Sequence, residues 1–313
     1  MSQGAPIIVA AGLTMQFGAQ RALDALDVQV PSGVTGLVGA NGAGKTTFMS
    51  IVLGLRVATS GDVEVLGLDP AARGPELRAL VGYGPERNVF PDEMPASDFV
   101  RHLAEVRGMP RTEARGRASD ALWLVGLGEE RFRPLGTMST GQRQRVKLAQ
   151  ALAADPALVL LDEPTDGLDP VQRDEMLVLI RQISTDYGID VLLSSHLLEE
   201  VERVCDHVVV LDAGRLVAQG RLDVLVGHED GVVVELVEVP DRSGALAAVV
   251  AAIELAGLSV RPGSAPSRIE VLGDDADLVA DTVRDAIAAA GARVGRIVRR
   301  RRRLDDLFEG APR

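Results

Sequence analysis

Two residue types are nearly missing from this 313-residue chain: cysteine occurs once, at Cys205, and lysine twice, at Lys45 and Lys147. A lone thiol makes no internal disulfide, which suits a reducing cytosol. Nearly all positive charge is carried by arginine. Long apolar runs are missing too. Stretches such as 245–253 fall well short of the roughly 18–20 residues that a helix needs to cross a bilayer, so no membrane span is expected. Basic residues are outnumbered by acidic ones, 33 to 45, and the formal net charge of −12 argues against a general nucleic-acid binder. The amino-terminal stretch has no basic segment leading into a long apolar one, so no secretory signal is expected. No internal repeat stands out.

What is present is ample core material. A hydrophobic content of 46% excludes disordered and collagen-like classes, and the length allows about two domains at roughly 100–200 residues each. Over the first two thirds, short apolar strands alternate with helical stretches, the α/β pattern of a largely parallel sheet covered by helices. Val34–Val38 reads as a buried strand, followed by a glycine-rich turn at 39–44 and a helix with Phe48, Ile51, Val52 and Leu55 on its apolar face. Residues 157–161 and 190–193 read as further buried strands with polar residues at their carboxyl ends, where ligands bind in such sheets. Residues of about 95–154 turn helical, with Phe99, Leu103, Val106, Leu122, Trp123 and Val125 as the apolar set, and read as an inserted subdomain. The division expected is 1–225 and 226–313. In the second part, 232–237, Ala245–Leu255, 269–272, Ala276–Ala289 and 294–298 read in β-α-β-α-β order, a small ferredoxin-like α+β domain, with 242–267 containing a loop marked by Pro262, Gly263 and Pro266.

The chemistry is concentrated in a few segments. Gly39-Ala40-Asn41-Gly42-Ala43-Gly44-Lys45-Thr46 matches G-x-x-x-x-G-K-[ST] between a strand and a helix, the context this phosphate-binding loop requires. Glycines let successive N–H groups turn inward around phosphate oxygens, and the helix N-terminus favours the same anion. Lys45 is suited to the β- and γ-phosphates, and Thr46 offers a hydroxyl to a bridging Mg²⁺. With only two lysines in the chain, one at this position is not incidental.

Leu158-Val159-Leu160-Leu161-Asp162-Glu163 is an apolar strand ending in two carboxylates. Asp162 is suited to hold Mg²⁺, directly or through water, and Glu163 to polarise an attacking water. His196, just past the strand containing Leu192 and Leu193, is either a donor to the γ-phosphate or a structural histidine. Met138-Ser139-Thr140-Gly141-Gln142 precedes a strongly helical run. Ser139 is a good N-cap, and its hydroxyl with the helix dipole makes a second anion site. One ATP rarely needs two such termini from one subunit, which points to the nucleotide of a neighbouring copy.

Together, across about residues 7–225, these segments resemble the ATP-binding-cassette (ABC) ATPase family in the family's own order. The resemblance implies that GANGAGKT is the Walker A loop, MSTGQ the signature, LVLLDE the Walker B strand with Glu163 as catalytic base, Gly167-Leu168-Asp169 the D-loop and His196 the switch histidine. Phe17 resembles the aromatic that stacks on adenine, a core phenylalanine being the alternative. The resemblance thus implies a nucleotide set of Phe17, Gly39, Asn41, Gly42, Ala43, Gly44, Lys45, Thr46 and Thr47, joined by Ser139, Gly141, Gln142 and Asp169. The cofactors implied are ATP and Mg²⁺, with Thr46, Asp162 and Glu86 at the metal. It also implies a head-to-tail dimer that sandwiches two ATPs between Walker A of one copy and signature of the other, and that closes on ATP and reopens on hydrolysis.

Two positions depart from the family's pattern. Glu86 stands where glutamine is common; ionised, it accepts hydrogen bonds or binds Mg²⁺ but donates none, so it joins Glu163 and His196 as a catalytic candidate. The signature has Met138 and Thr140 in place of the usual leucine and glycine. Too few residues separate Thr46 from Met138 for a long coiled coil, which disfavours chromosome-maintenance and repair ATPases. One cassette in the chain disfavours tandem-cassette translation factors. Arg303-Leu304-Asp305-Asp306-Leu307-Phe308-Glu309 resembles the closing segment of ABC-2-type exporter ATPases, a group that includes drug efflux systems. The expectation is an exporter subunit working through a separate membrane permease on the cytoplasmic face, the alternatives being a polysaccharide or lipid exporter subunit and, from another class, a soluble regulatory ABC ATPase. The arginine block at 299–303 is either a solvated strand end or a contact for anionic headgroups or acidic partner loops.

Overall fold

The computed structural model describes residues 5–87, 89–226, 231–237, 245–263, 267–273, 275–300 and 304. It divides into two compact units, one ending at Leu222 and the other beginning at Asp223.

The first unit opens with two long strands, β1 (Ile8–Phe17) and β2 (Gln20–Val30), before the buried β3 (Val34–Val38) and the helix α1 (Lys45–Val52). With β4 (Ser60–Val65), β1 and β2 form an antiparallel sheet in the order β2-β1-β4, an element that the expectation of a largely parallel sheet did not contain. Its strands bury one face only: along β2, Leu23, Leu26, Val28 and Val30 are buried while intervening residues reach solvent. That half-polar pattern distinguishes it from the all-buried β3.

After α2 (Gly74–Leu80) and β5 (Val81–Gly84) come three helices, α3 (Ala96–Val106), α4 (Arg111–Leu124) and α5 (Thr140–Leu152). Phe99, Leu122 and Val125 of the apolar set are buried, whereas Val106 and Trp123 are exposed. Trp123 follows the buried Leu122 by one residue, a rotation of about 100° on a helix, and turns outward beneath the Arg131 guanidinium, 5.7 Å from its ring centroid.

The chain then completes the main sheet with β6 (Leu158–Asp162), α6 (Pro170–Tyr187), β7 (Asp190–Ser195), α7 (Leu198–Val204), β8 (His207–Asp212) and β9 (Arg215–Arg221). The order is β5-β6-β7-β3-β8-β9, parallel except for the β8–β9 pair. Register brings Asp162 opposite Ser194 and Val38 opposite Ser195. The carboxyl ends of β3, β6 and β7 therefore lie along one edge. Leu55 does not extend α1, as its spacing led one to expect. The helix ends at Val52, Gly54 takes a left-handed φ of +65°, and Leu55 is exposed.

A short helix, α8 (Leu222–Val226), follows β9. The second unit contains β10 (Gly231–Leu236), α9 (Ala245–Leu255), β11 (Ser259–Pro262), β12 (Arg268–Leu272), α10 (Ala276–Ala289) and β13 (Val294–Arg299). Its antiparallel sheet runs β11-β12-β10-β13, so the order is β-α-β-β-α-β, one strand more than expected and the full ferredoxin-like arrangement. The extra strand, β11, occupies the stretch read as loop. It is an edge strand ending in Pro262, a place where proline's missing N–H costs no ladder bond. Val232, Val234, Val249, Ile253, Val271, Val279 and Val283 form this unit's core. Within the arginine block, Arg299 pairs with Asp277 at 2.6 Å and the buried Arg300 with Glu270 at 2.9 Å. Both readings of the block had its side chains facing outward; Arg300 is turned inward instead, whereas Arg299 stays exposed at the strand end. Residues 301–303, Pro266 and the closing segment from Asp305 to Glu309 lie outside the described residues.

The close approach of β5 to α5 positions the helical segment on the sheet. A Cβ on Gly82 would fall 2.1 Å from the Ala151 carbonyl oxygen, so no larger residue fits without separating strand from helix. Gly82→Ala should lower unfolding stability by about 1–3 kcal/mol, seen as a lower urea midpoint; an unchanged midpoint would show that the two elements separate cheaply.

Candidate functional site

The site starts from the turn after β3. Gly44 caps α1 with a left-handed φ of 104° and without a side-chain hydrogen bond. Any Cβ there would lie 2.7 Å from the Ala22 carbonyl oxygen, and one on Gly39 only 2.3 Å from that of Leu211. The loop is thus held against backbone on both sides, and the first N–H groups of α1 have no side-chain acceptor, the arrangement that binds anions. Lys45 is 7% exposed and folds back over this loop. Its Nζ donates to the Gly39 carbonyl at 2.6 Å and lies 3.4 Å from Glu163 Oε1.

At the end of β6, the buried Asp162 accepts from Ser194 Oγ at 2.6 Å and from Thr46 Oγ1 at 3.2 Å. Glu163 follows with a left-handed φ of 49°, a conformation that costs a non-glycine residue on the order of 1 kcal/mol. It swings the carboxylate between Lys45 and His196, whose Nδ1 is 2.8 Å from Glu163 Oε2. A carboxylate oxygen accepts, so in this contact His196 donates through Nδ1. The turned Glu163 N–H donates to Ser194 Oγ at 3.0 Å, so Ser194 serves both acids at once.

A cleft of about 560 Å³ gathers Phe17, Asn41, Gly42, Gly44, Lys45, Thr46, Thr47, Glu86, Asp162, Glu163 and His196. Gly39 and the buried Ala43 do not line it and instead shape the loop from behind. Phe17 is 40% exposed with the Arg56 guanidinium 5.0 Å from its ring centroid, so it is no core residue. Glu86 contributes a half-exposed carboxylate, 3.8 Å from Arg87 Nε. Behind the wall, Lys147 Nζ donates to the Glu86 carbonyl at 2.8 Å. Burial pushes its ammonium pKa down, against the opposing pull of Asp166, Asp162 and Glu86. Tyr83, at the end of β5, is pushed up to about 12 by burial and then by Asp162 and Glu86.

Ser139, Gly141, Gln142 and Asp169 stand apart from the cleft. Ser139 and Gln142 form a reciprocal capping box at the start of α5. Asp169 caps α6, accepting from the Gln172 N–H at 2.9 Å, and the Gln172 side chain in turn covers Gly141, where a Cβ would be 2.8 Å from Gln172 Oε1. Gln144 Nε2 also donates to the Asp166 carbonyl at 2.9 Å. The start of α5 and the approach to α6 are therefore one assembly.

Among the described residues, no three His, Cys, Asp or Glu side chains are grouped to hold a metal by themselves. Thr46 and Asp162, hydroxyl beside carboxylate, offer hard oxygens next to the anion-binding loop. Such a pair fits a Mg²⁺ that completes its shell with phosphate and water.

Three positions had gone unnoticed in the sequence. Ser194 is one. Glu200 is another: buried on α7, it accepts from Thr165 Oγ1 at 2.7 Å and Ser195 Oγ at 2.8 Å, and lies 3.2 Å from Arg173 Nε. It ties together the segments that carry Glu163, His196 and α6. Asp166, on the cleft wall, is the third. Two serines ending an otherwise apolar strand were the available signal for Ser194. For Glu200 it was the helical spacing of four from His196.

A family model described as ABC transporter matches residues 23–166. The chain is 32% identical to the daunorubicin resistance ATP-binding protein DrrA3 of Streptomyces coeruleorubidus, over 95% of this chain and 93% of that protein. It is 36% identical to the methionine import ATP-binding protein MetN of Mesorhizobium japonicum, over 66% of this chain and 58% of that protein. Among solved structures, cbiO1 from Clostridium perfringens, part of the ABC transporter complex cbiONQ, superposes with a TM-score of 0.64 at 27% identity, covering 70% of this chain and 90% of that one.

Ser194→Ala removes a donor to Asp162 and the acceptor of the Glu163 N–H from a fully buried position. Leaving Asp162 with Thr46 alone and the Glu163 N–H unpaired should cost about 1–3 kcal/mol of stability, read by chemical denaturation; a loss below about 0.5 kcal/mol would show that neither bond matters.

Proposed function

This chain belongs to the ABC transporter ATP-binding family, and from that premise we propose that it powers an ABC-2-type exporter, as a head-to-tail dimer beneath a separate membrane-spanning permease. It is an ABC ATP-binding subunit and an ATPase. The observation that carries the mechanistic reading is the cluster at one sheet edge, where Lys45, Glu163 and His196 are linked within 3.4 Å beside the bonded pair Thr46 and Asp162.

In this reading the uncapped start of α1 and the glycine turn of residues 39–44 bind the phosphates of ATP. Phe17 offers its exposed face to the base, a stacking contact that suits an aromatic with one side free. Lys45 exchanges the Gly39 carbonyl and Glu163 for phosphate oxygens, which frees the Glu163 carboxylate to accept a proton from the attacking water. Mg²⁺, held by Thr46 and Asp162 with Glu86 at its margin, would neutralise charge developing on the phosphates. His196, oriented through Nδ1, keeps its other nitrogen toward the cleft. Ser139, Gly141, Gln142 and Asp169 do not line this cleft, and we assign them to the nucleotide of the second copy. ATP then closes the pair and hydrolysis reopens it, and the permease converts that motion into transport.

The choice of exporter over importer rests on coverage. One drug-resistance relative matches 95% of this chain, whereas methionine-import relatives match from 66% to 82% of it. The shared length with the former takes in most of the second unit. We accordingly read 1–225 as the ATPase domain, with its helical subdomain at about 95–154, and 226–313 as an accessory domain. No helix among the described residues is long and apolar enough to cross a membrane, in keeping with a cassette held at the inner face by its permease.

Glu163→Gln should still bind ATP while kcat falls about 100-fold or more, and ATP should shift it to a dimer on size exclusion; wild-type turnover would remove Glu163 from the role of base. Purified from its native membranes, the wild-type chain should bring a polytopic membrane protein with it. Its recovery alone would instead favour the regulatory ATPase.

A further inference from the structure

We propose that Lys147 is a positioning residue for the cleft: a buried cation that holds the Glu86 segment by its backbone and balances the Glu86 carboxylate, so that the two residues act as a pair. This rests on the reading of the cleft as the ATP site.

Both lysines of the chain are buried, at 7% and 6% exposure, and both attend this cleft. Lys45 is on the front of the wall and Lys147 behind it. Every other cationic position, apart from histidine, is arginine. A compact ammonium with three donors suits a narrow buried place aimed at one carbonyl, where a planar guanidinium would need a wider slot. The bond from Lys147 Nζ to the Glu86 carbonyl spans 61 residues of sequence. It is reinforced one helical turn on by Gln150, whose Nε2 reaches the Tyr83 carbonyl at 3.4 Å. Helix α5 thus grips the end of β5 and the turn after it at two carbonyls. The same helix starts at the Ser139–Gln142 cap, so a displacement of α5 reaches the Glu86 backbone directly.

Charge supplies the second argument. Among the described residues, Glu86, Asp162, Glu163 and Asp166 line the cleft, with Lys45 and Arg87 as its lining Lys and Arg side chains. Arg87 is 93% exposed and its separation from Glu86 is long, at 3.8 Å, so its contribution is screened by water. Lys45 is already 3.4 Å from Glu163. Four carboxylates around a seat for a polyphosphate repel both one another and the ligand. Lys147, in the field of Asp166, Asp162 and Glu86, is the buried charge that offsets them without occupying the seat. Removing one partner of a buried charged arrangement leaves the other uncompensated, while removing both is far milder.

The test is a double-mutant cycle on the full chain, with Glu86→Gln and Lys147→Met. Lys147→Met should lower kcat on the order of tenfold with the KM for ATP within about twofold, and Lys147→Arg should recover part of the loss. The double variant should lose less than the product of the single losses. Without nucleotide, amide hydrogen exchange at Glu86 and Arg87 should quicken in Lys147→Met. Wild-type kcat and exchange in a folded Lys147→Met, or losses that simply multiply, would overturn the pairing. Should Lys147→Met not fold, Lys147→Gln keeps a donor for the carbonyl without the charge: exchange near wild type with reduced kcat supports the proposal, and unchanged kcat defeats it. Lys45→Ala serves as the control. If it keeps wild-type ATP affinity, the reading of the cleft itself fails, whatever Lys147 does.

Discussion

The carboxylate of Asp162 is the joint of this molecule. By accepting from Ser194 at 2.6 Å and Thr46 at 3.2 Å, it binds the end of β6 to the end of β7 and to the first turn of α1. Three pieces of chain distant in sequence are thereby fixed to within a hydrogen bond of one another. Ser194 extends the same joint to the Glu163 N–H, which stabilises the left-handed backbone that aims Glu163 across to His196 and Lys45. Because Asp162 and Ser194 are buried, the loss of either Ser194 bond leaves a charge or a donor unsatisfied.

Around that joint the site is built in two layers. The inner one is the bare helix start, with its glycine turn pressed between the Ala22 and Leu211 carbonyls. The outer one is a set of buried charges that touch no ligand: Glu200 collecting Thr165, Ser195 and Arg173, and Lys147 holding Glu86. A cleft lined by several carboxylates accepts a polyanion only where compensation is at hand, and the compensation here comes partly from behind the wall. The second unit obeys simpler rules. Alternating valines fill its core, and two of its arginines are engaged by acids of the same sheet and helix.

Much of this was legible in the residues because it depends on neighbours along the chain. A strand of continuous apolar residues, a glycine turn and a helix start are local events, so 39–46 declared a phosphate site before any tertiary contact was known. The same holds for the carboxyl end of β6 and for the helix at Ala276–Ala289, whose bounds agree with its periodicity. What the periodicity missed has a physical cause in each case. Leu55 kept the helical spacing, but Gly54 had already turned the chain. Strand β11 is short and lies at an edge, where one face needs no apolar residues. The alternation along β2 marks a half-buried strand, but which strands β1 pairs with is decided between segments and is not written in either one.

The sequence by itself therefore determined the kind of chemistry to expect: a glycine-rich loop with its lysine, two acids ending an apolar strand and a histidine, in an order that marks one ATPase family. Only the tertiary structure decided which of these meet. It set Glu163 between Lys45 and His196, kept Ser139 and Asp169 away from the cleft of their own chain, and put the second lysine behind Glu86. The reason is that each such contact joins segments tens of residues apart, through buried hydrogen bonds and charges whose worth exists only once water has been excluded.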